Sequence, residues 1–300
     1  MPDHVGILGI GTYIPPARMS AADLAAASGL PEDVVASKFG VLQKPVAGPD
    51  EPTSELGLRA AREALKDAGV PAADVDLVIW CGAQHKDYPC WLAGLSVADK
   101  LGANRAWSFD MEAMCGSMMA ALDVAKSLML AREDLKTVLL VSGYRNNDLI
   151  DLAEPSTRFM LDIGSGGSAI VLGKDAGRNE LLGSAFKGDG SLSLDCVVDR
   201  GTGKFVVPDE PTFKAKLNEK TLPNFYAVID RSLELSGGLG RRDIGYLAVL
   251  HFKKSAHDAI LAELGLDASR TTYLDEYGHV GQNDQVLSME LALASGRLKD

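Results

Sequence analysis

Short apolar runs alternate along the chain with stretches that have helical character. The apolar runs are bounded by glycine, proline or polar residues, which is typical of strands buried in a sheet. The stretches between them begin with helix-capping residues and several end at glycine. The pattern therefore predicts an α/β protein. Strands are predicted at 5–11, 74–82, 106–111, 137–143 and 244–250, with a strand-like segment at 181–198 and a glycine-rich turn entering a strand within 160–172.

The helical stretches complete this alternation. They contain good helix formers and few prolines. Their apolar positions recur with helical spacing, so we expect each helix to cover a sheet or a neighbouring helix. Helices are predicted at 20–27, 31–37, 56–68, 91–101, 116–132, 209–235, 255–264 and 285–298.

The segment around Cys115 carries the clearest candidate chemistry. A predicted strand ends at Met111 and a predicted helix begins at Gly116, so the chain must reverse sharply between them. Cys115 then lies at a helix N-terminus, where unpaired N–H groups and the helix dipole favour thiolate over thiol. The same N–H groups could stabilise the oxyanion that forms when the thiolate attacks an acyl carbonyl. Since free cysteines are often buried, a purely structural Cys115 is the alternative interpretation.

Composition excludes several other functions. The net charge of −11 and the lack of a Lys/Arg cluster argue against nucleic acid or an anionic membrane surface as the main partner. The four cysteines show neither CxxC pairs nor metal-ligand spacing, which favours a reduced, cytoplasmic setting without a metal site. No signal peptide or membrane span is visible in the sequence.

The glycine-rich segments do not predict a phosphate loop. Gly9 and Gly11 form G-x-G, but prolines at 15 and 16 replace the helix that a dinucleotide fingerprint requires. The glycines at 164–167 run into a strand rather than a helix, so we expect them to permit close packing of a helix on the sheet.

Three histidines in the last third of the chain are candidates to different degrees. His251 follows the predicted strand 244–250, where ligands of open sheets gather. His257 is predicted to lie at the surface of the next helix. His279 lies in the glycine turn 277–284, where it is either a polar loop residue or a functional one.

The order of these features resembles the β-ketoacyl-ACP synthase III family of the thiolase superfamily. Cys115 at an elbow is followed after 136 residues (251 − 115) by His251, and after 28 more (279 − 251) by the turn G-H-V-G-Q-N-D. The G-x-G-x-Y-x-P start at 9–15, Asp87 and the D-I-G-S-G stretch at 162–166 are similar to family landmarks. The resemblance implies a duplicated five-layered thiolase-like fold, with an N-terminal half at 1–174 and a C-terminal half at 175–300, usually in a homodimer.

The resemblance also implies the chemistry. Cys115 would accept an acyl group from acyl-CoA, and His251 would assist decarboxylation of a malonyl thioester carried by CoA or acyl carrier protein. No cofactor is bound permanently, because acyl-CoA is a substrate. His279 replaces the asparagine of the family's Cys–His–Asn trio, so we predict Cys115, His251 and His279 as the catalytic set. The basic residues that hold CoA in the family are reduced here to Lys44 and its neighbours, so no cofactor-binding residue is assigned.

Two departures from the family pattern leave alternatives open. Because histidine can take up a proton, His279 could act as a general base, which favours acyl transfer to an alcohol or amine, or condensation without decarboxylation as in hydroxymethylglutaryl-CoA synthase. The sequence also stops at Asp300, before the last strand pair of the family, whose backbone supplies part of the oxyanion hole. This favours a third alternative, a catalytically weak partner subunit of a ketosynthase.

Overall fold

A mixed five-stranded sheet forms the centre of the protein. The computed structural model describes residues 4–82 and 85–299; Met1 and Asp300, the outer ends of the two predicted halves, lie outside them. The strand order in the sheet is β1-β7-β6-β4-β5. Its strands are β1 (Val5–Tyr13), β4 (Leu77–Cys81), β5 (Trp107–Met111), β6 (Thr137–Tyr144) and β7 (Gly166–Lys174), and the short pairs are β2 (Arg18–Ser20) with β3 (Gln43–Pro45) and β8 (Val197–Val198) with β9 (Phe205–Val206).

The helices alternate with the sheet strands in the first half and dominate the second. β4 runs parallel to β5 and β6, whereas β7 is antiparallel to both β6 and β1. The sequence pattern therefore located the strands of this sheet and most helices within a few residues. The helices are α1 (Ala21–Ser28), α2 (Glu32–Val34), α3 (Thr53–Ala68), α4 (Ala93–Leu101), α5 (Ser117–Ala131), α6 (Glu210–Leu235), α7 (Lys254–Leu264) and α8 (Asp284–Ala294).

Both faces of the sheet are covered, as the continuous apolar strands predict. Every residue of β4 is buried. On one face, α3 and α4 pack with Val78 and Trp80; on the other, α5 packs with Leu77 and Ile79. Since alternate residues of one strand point to opposite faces, β4 contributes to two separate apolar clusters.

Glycines allow α3 to lie against the backbone of the sheet. A Cβ atom at Gly11 would lie 2.4 Å from the backbone nitrogen of Ala64, and one at Gly167 would lie 2.3 Å from the carbonyl oxygen of Leu56. The prediction that the glycines at 164–167 permit close helix packing is confirmed at Gly167. This approach brings the start of α3 next to the ends of β6 and β7.

The second half departs from the predicted strands. Residues 244–250 are not a regular strand: the Leu247 amide donates to the Arg270 carbonyl over 2.8 Å, but the Leu247 carbonyl accepts from the Thr271 hydroxyl instead of continuing a backbone ladder. The strand-like prediction for 181–198 is also wrong except at β8, since a 3-10 turn occupies 190–192. Within the described residues, β8 and β9 are the strands of this half.

One stretch of the described chain, Met114–Ala131, is long and apolar enough to cross a membrane, with a mean hydropathy of 1.3. Its helical part is α5. One face of α5 is fully buried against the sheet through Met118, Ala121, Ala125 and Met129. A buried face of this kind is expected of a helix in a protein core.

Candidate active site

The chain reverses at Met114, immediately before the candidate nucleophile. Met114 has a φ of +53°, a conformation uncommon for residues other than glycine. The Ser117 hydroxyl fixes the turn, since it accepts from the Ala113 amide over 2.8 Å and donates to the Met114 carbonyl over 2.7 Å. Cys115 is half-buried and precedes α5 by two residues. The predicted sharp turn at the helix N-terminus is therefore present.

The backbone amides around Cys115 differ in their hydrogen bonds. The Gly116 and Ser117 amides donate back to Ala113 and Met114. The Cys115 amide has no acceptor within the described part of the chain. An unpaired N–H beside a nucleophile is suited to bind the oxygen of a tetrahedral intermediate.

Backbone contacts between two glycine turns hold His279 in place. The His279 amide donates to the Asp162 carbonyl over 2.9 Å, and the His279 carbonyl accepts from the Gly164 amide over 2.9 Å. Gly278 has a φ of +62°, and a Cβ there would lie 2.1 Å from the Asp162 carbonyl oxygen. Only glycine permits this approach without displacing the backbone. The 162–166 stretch, noted in the sequence as a landmark, thus positions the candidate histidine.

Cys115, His279 and Asp284 form a continuous contact chain. His279 Nε2 lies 3.2 Å from Cys115 Sγ, and His279 Nδ1 lies 2.6 Å from Asp284 Oδ2. The Asp284 side chain is completely buried and that of His279 is 14% exposed. A thiol, an imidazole and a carboxylate in this order are the arrangement that activates nucleophiles in many acyl-transfer enzymes.

The charges of this chain determine the protonation of His279. Burial lowers the pKa of His279, but the adjacent Asp284 carboxylate and Cys115 sulfur outweigh burial and place this pKa well above its usual range. Burial, with the negative charges of Cys115 and Asp284, raises the pKa of Tyr144 well above its usual value. These directions favour a protonated His279 beside the sulfur and a neutral phenol at Tyr144.

His251 occupies a different position from His279. Its side chain is completely buried, and neither ring nitrogen has a hydrogen-bond partner in the described residues. Its Nε2 atom lies 3.8 Å from Asp162 Oδ2, and its ring lies 5.1 Å from that of Tyr273. The His251 amide donates to Asp284 Oδ2 over 2.8 Å. Asp284 therefore connects the two predicted histidines, one through its ring and the other through its backbone.

Buried amides attach the His279 turn to the sheet. The Gln282 side chain donates to the Ser142 hydroxyl over 2.6 Å and to the Cys81 carbonyl over 3.1 Å. The Asn283 oxygen accepts from the Ser168 hydroxyl over 2.7 Å. A side chain at Gly281 would collide with the Tyr144 ring, since its Cβ would lie 2.4 Å from that ring. The turn consequently has one well-defined position against β6 and β7.

Other residues noted in the sequence have mainly structural surroundings. Lys44 is buried and donates to the Leu161 carbonyl over 2.8 Å, so its ammonium does not face a surface phosphate site. Asp87 accepts from the Ser54 amide over 3.2 Å and thereby caps α3. Within the described residues, no cluster of three or more histidine, cysteine or acidic side chains could hold a metal ion.

The predicted surface position of His257 is wrong. Its side chain lies in contact with the Tyr273 ring at 5.0 Å, and the residue is 3% exposed. Burial lowers the pKa of His257. The turn of α7 that carries His257 faces the segment after residue 270, a contact that the helical periodicity did not reveal.

Sequence reasoning did not single out Asp284 and Tyr144. Asp284 was within the quoted G-H-V-G-Q-N-D turn, and its place five residues after His279 at a helix start was the available signal. Tyr144 had a weaker signal, as a polar aromatic residue at the end of a buried strand. Neither signal identifies a partner without the contacts of the folded chain.

Comparisons with known proteins agree with this fold. Residues 109–190 match the family model described as 3-oxoacyl-[acyl-carrier-protein (ACP)] synthase III. β-Ketoacyl-[acyl-carrier-protein] synthase III of Staphylococcus epidermidis is 25% identical, over 99% of this chain and 92% of that protein. The crystal structure of 3-oxoacyl-(acyl carrier protein) synthase III from Pseudomonas aeruginosa matches with a TM-score of 0.85 and 26% identity, over 99% of this chain and 91% of the other.

A more distant structure supports the fold alone. The structure of Xanthomonas campestris OleA with bound lauric acid and lauroyl-CoA matches with a TM-score of 0.86 and 17% identity, over 100% of this chain and 94% of the other. Together with the closer structure, this match shows the thiolase-like fold predicted from the sequence. The family model and the relatives support the predicted family.

Proposed function

We propose that this chain, a condensing enzyme of the β-ketoacyl-ACP synthase III type, uses Cys115 to accept an acyl group and then joins that group to a malonyl thioester. The observation that carries the proposal is the 3.2 Å contact between Cys115 Sγ and His279 Nε2 at the start of α5. Relatives of this type align with nearly the whole chain. The product is a β-ketoacyl thioester, as in fatty-acid or polyketide biosynthesis.

In the first half-reaction, the Cys115 thiolate attacks the carbonyl of acyl-CoA. The imidazolium of His279 stabilises the thiolate before attack and then gives its proton to the departing CoA sulfur. The Cys115 amide would donate a hydrogen bond to the developing oxyanion. The result is an acyl thioester on Cys115 and a neutral His279. No bound cofactor is required, because acyl-CoA is a substrate.

In the second half-reaction, a malonyl thioester on CoA or acyl carrier protein loses carbon dioxide and its carbanion attacks the acyl carbon. Both ring nitrogens of His251 are unpaired within the described residues, so a thioester carbonyl beside His251 would meet a free N–H. His279, once protonated again, would donate the second hydrogen bond, in the role that the family gives to asparagine. Cys115 leaves as the thiolate, and the resting site is restored.

Intact-mass spectrometry tests this proposal directly. The protein is mixed with a panel of acyl-CoAs and then chased with malonyl-CoA or malonyl-acyl carrier protein. We expect a mass increase equal to the acyl group, absent in Cys115→Ala, and its discharge with one carbon dioxide per product. Cys90→Ala, which removes an exposed free cysteine, is the matched control. An undiminished adduct on Cys115→Ala would contradict the proposal.

The proposed enzyme is a cytoplasmic homodimer, with no nucleic acid partner. β5 lies at the edge of the sheet, and an unpaired edge is a template for another strand. Trp107 at the start of β5 is 49% exposed and Met114 beyond its end is 53% exposed. This apolar edge supports pairing of β5 with its counterpart in a second copy. The partner-subunit alternative gains no support from a cysteine in contact with a histidine.

A further inference from the structure

Asp284 restricts what a neutral His279 can do. The Asp284 carboxylate lies 2.6 Å from His279 Nδ1 and accepts only, because a carboxylate has no proton to give. In the neutral imidazole, the single N–H is therefore on Nδ1, and Nε2 presents a lone pair toward Cys115. The amide of an asparagine at this position would instead present an N–H. The substitution thus changes a permanent donor into a base.

The buried carboxylate is held rigidly in this role. Asp284 Oδ1 accepts from the Val280 amide over 2.6 Å, and Oδ2 accepts from the His251 amide over 2.8 Å. These two backbone donors hold the carboxylate, whose side chain is completely buried. Its orientation toward Nδ1 is therefore fixed before any substrate binds.

We propose that Cys115, His279 and Asp284 form a relay that transfers the Cys115-bound acyl group to the hydroxyl group of an alcohol, with water as a slower acceptor. This transfer to an alcohol rests on the acyl-enzyme of the proposed function. In the relay, Cys115 and His279 are catalytic residues. Asp284 is a positioning residue that acts through His279.

The atoms and protons balance at each step of the relay. After acylation, CoA has left with the proton from Nε2, and His279 is neutral. As the alcohol oxygen bonds to the acyl carbon, Nε2 takes the hydroxyl proton. The carbon–sulfur bond to Cys115 then breaks, the ester leaves, and the thiolate and imidazolium pair is restored. No oxidant, reductant or further reactant is needed.

The first test compares the wild-type protein with His279→Asn, which restores an amide at this position. The acyl-enzyme is formed with acyl-CoA, separated from free CoA and chased with n-butanol, with ester formation followed by mass spectrometry. A general base typically contributes 10²–10⁴-fold, so we expect loss of the adduct to n-butanol to be about 100-fold slower in the variant.

The second test asks whether Asp284 acts through His279. The rate of acyl transfer to n-butanol should rise with pH as His279 loses its proton, because the base must be neutral. The ionisable groups in contact with His279 or beside it are Asp284, Cys115 and Tyr144. In Asp284→Asn, a charge that raises the pKa of His279 is gone, so this rise should move to lower pH while the plateau rate falls. Asp76→Asn, which alters a carboxylate that accepts the Thr137 amide, is the control and should show neither change.

The outcomes separate this inference from the proposed function. If the wild-type adduct is discharged by the malonyl thioester but loses its acyl group to n-butanol no faster than His279→Asn does, the relay is excluded and the condensing function stands. If no adduct forms on Cys115, both are excluded. If Asp284→Asn fails to fold, the comparison of His279→Asn with wild type still decides the relay.

Discussion

Asp284 contacts both predicted catalytic histidines, His279 and His251. One carboxylate contacts the ring of His279 and the backbone amides of Val280 and His251. The charge of this carboxylate raises the pKa of His279 and so favours its imidazolium form. A single buried charge therefore favours the protonated ring of His279 and accepts a hydrogen bond from the backbone of His251.

Lys44 is a second buried charge, and it allows a prediction for stability against pH. Burial lowers the pKa of Lys44 to about 8, although the Asp162 carboxylate acts in the opposite direction. Between about pH 8 and the unfolded value near 10.4, the unfolded chain binds more protons at this site, so Lys44 makes the folded state relatively more stable as pH rises. The ammonium is most costly to the fold at neutral pH.

We therefore compare Lys44→Met with wild type by urea unfolding between pH 7 and 11. The free energy of unfolding of the variant, relative to wild type, should fall by about 3 kcal/mol across this range. Lys66→Met, which removes an exposed lysine paired with Glu63, controls for the loss of one positive charge. A difference for Lys44→Met that does not change with pH would contradict the assignment.

Among the elements, the close approach of α3 to β1 and β7 fixes the geometry near the site. Gly9, Gly11 and Gly167 lie where the helix backbone leaves no room for a side chain. The sequence indicated such packing at 164–167 because the glycines precede a strand and not a helix. The same contact places the N-terminal end of α3 beside Gly143, at the end of β6.

Gly167→Ala tests this contact. Its Cβ would lie 2.3 Å from the Leu56 carbonyl oxygen, and backbone cannot move aside as a flexible side chain can. Overpacking of this kind costs typically 1–3 kcal/mol, so we expect a decrease of about 2–3 kcal/mol in the free energy of unfolding by urea. Gly188→Ala, at a position with no atom within 4 Å of the added Cβ, should change it by less than about 0.5 kcal/mol. Equal effects at both glycines would refute the packing argument.

At the scale of the whole molecule, the sheet has an exposed apolar edge at β5. Trp107 packs against Phe109 on this strand, with ring centroids 5.1 Å apart. The whole chain has a net charge of −11, but β5 contributes little of that charge. Pairing of two copies would cover it.

The dimer is tested with Trp107→Glu. Light scattering after size exclusion should give twice the chain mass of 31.8 kDa for wild type, and a lower average mass for the variant, because a carboxylate at the edge opposes pairing. Phe186→Glu, at an aromatic residue that is 56% exposed and belongs to the second half, should remain a dimer. A monomeric wild-type protein would rule out the proposed assembly.

Prediction from sequence succeeded where the signal is local. Continuous apolar runs predicted β4 and β6, and the break between 111 and 116 predicted the turn before α5. Prediction failed at 244–250, where an apolar run does not form a regular ladder, because a ladder requires a neighbouring strand that pairs with its backbone. It also failed for His257, whose burial is produced by Tyr273 from a later segment.

The amino-acid sequence by itself determined the alternation of strands and helices and the position of Cys115 at a helix N-terminus. These follow from periodicity, turn residues and motif order, which are properties of neighbouring positions. Only the tertiary structure decided that His279 contacts Cys115 across 164 positions of sequence, that Asp284 contacts the other ring nitrogen of His279, and that neither ring nitrogen of His251 has a hydrogen-bond partner in the described chain. Their catalytic roles stay predictions. The physical reason is that hydrogen bonds and buried charges depend on distances in space, which local patterns do not contain.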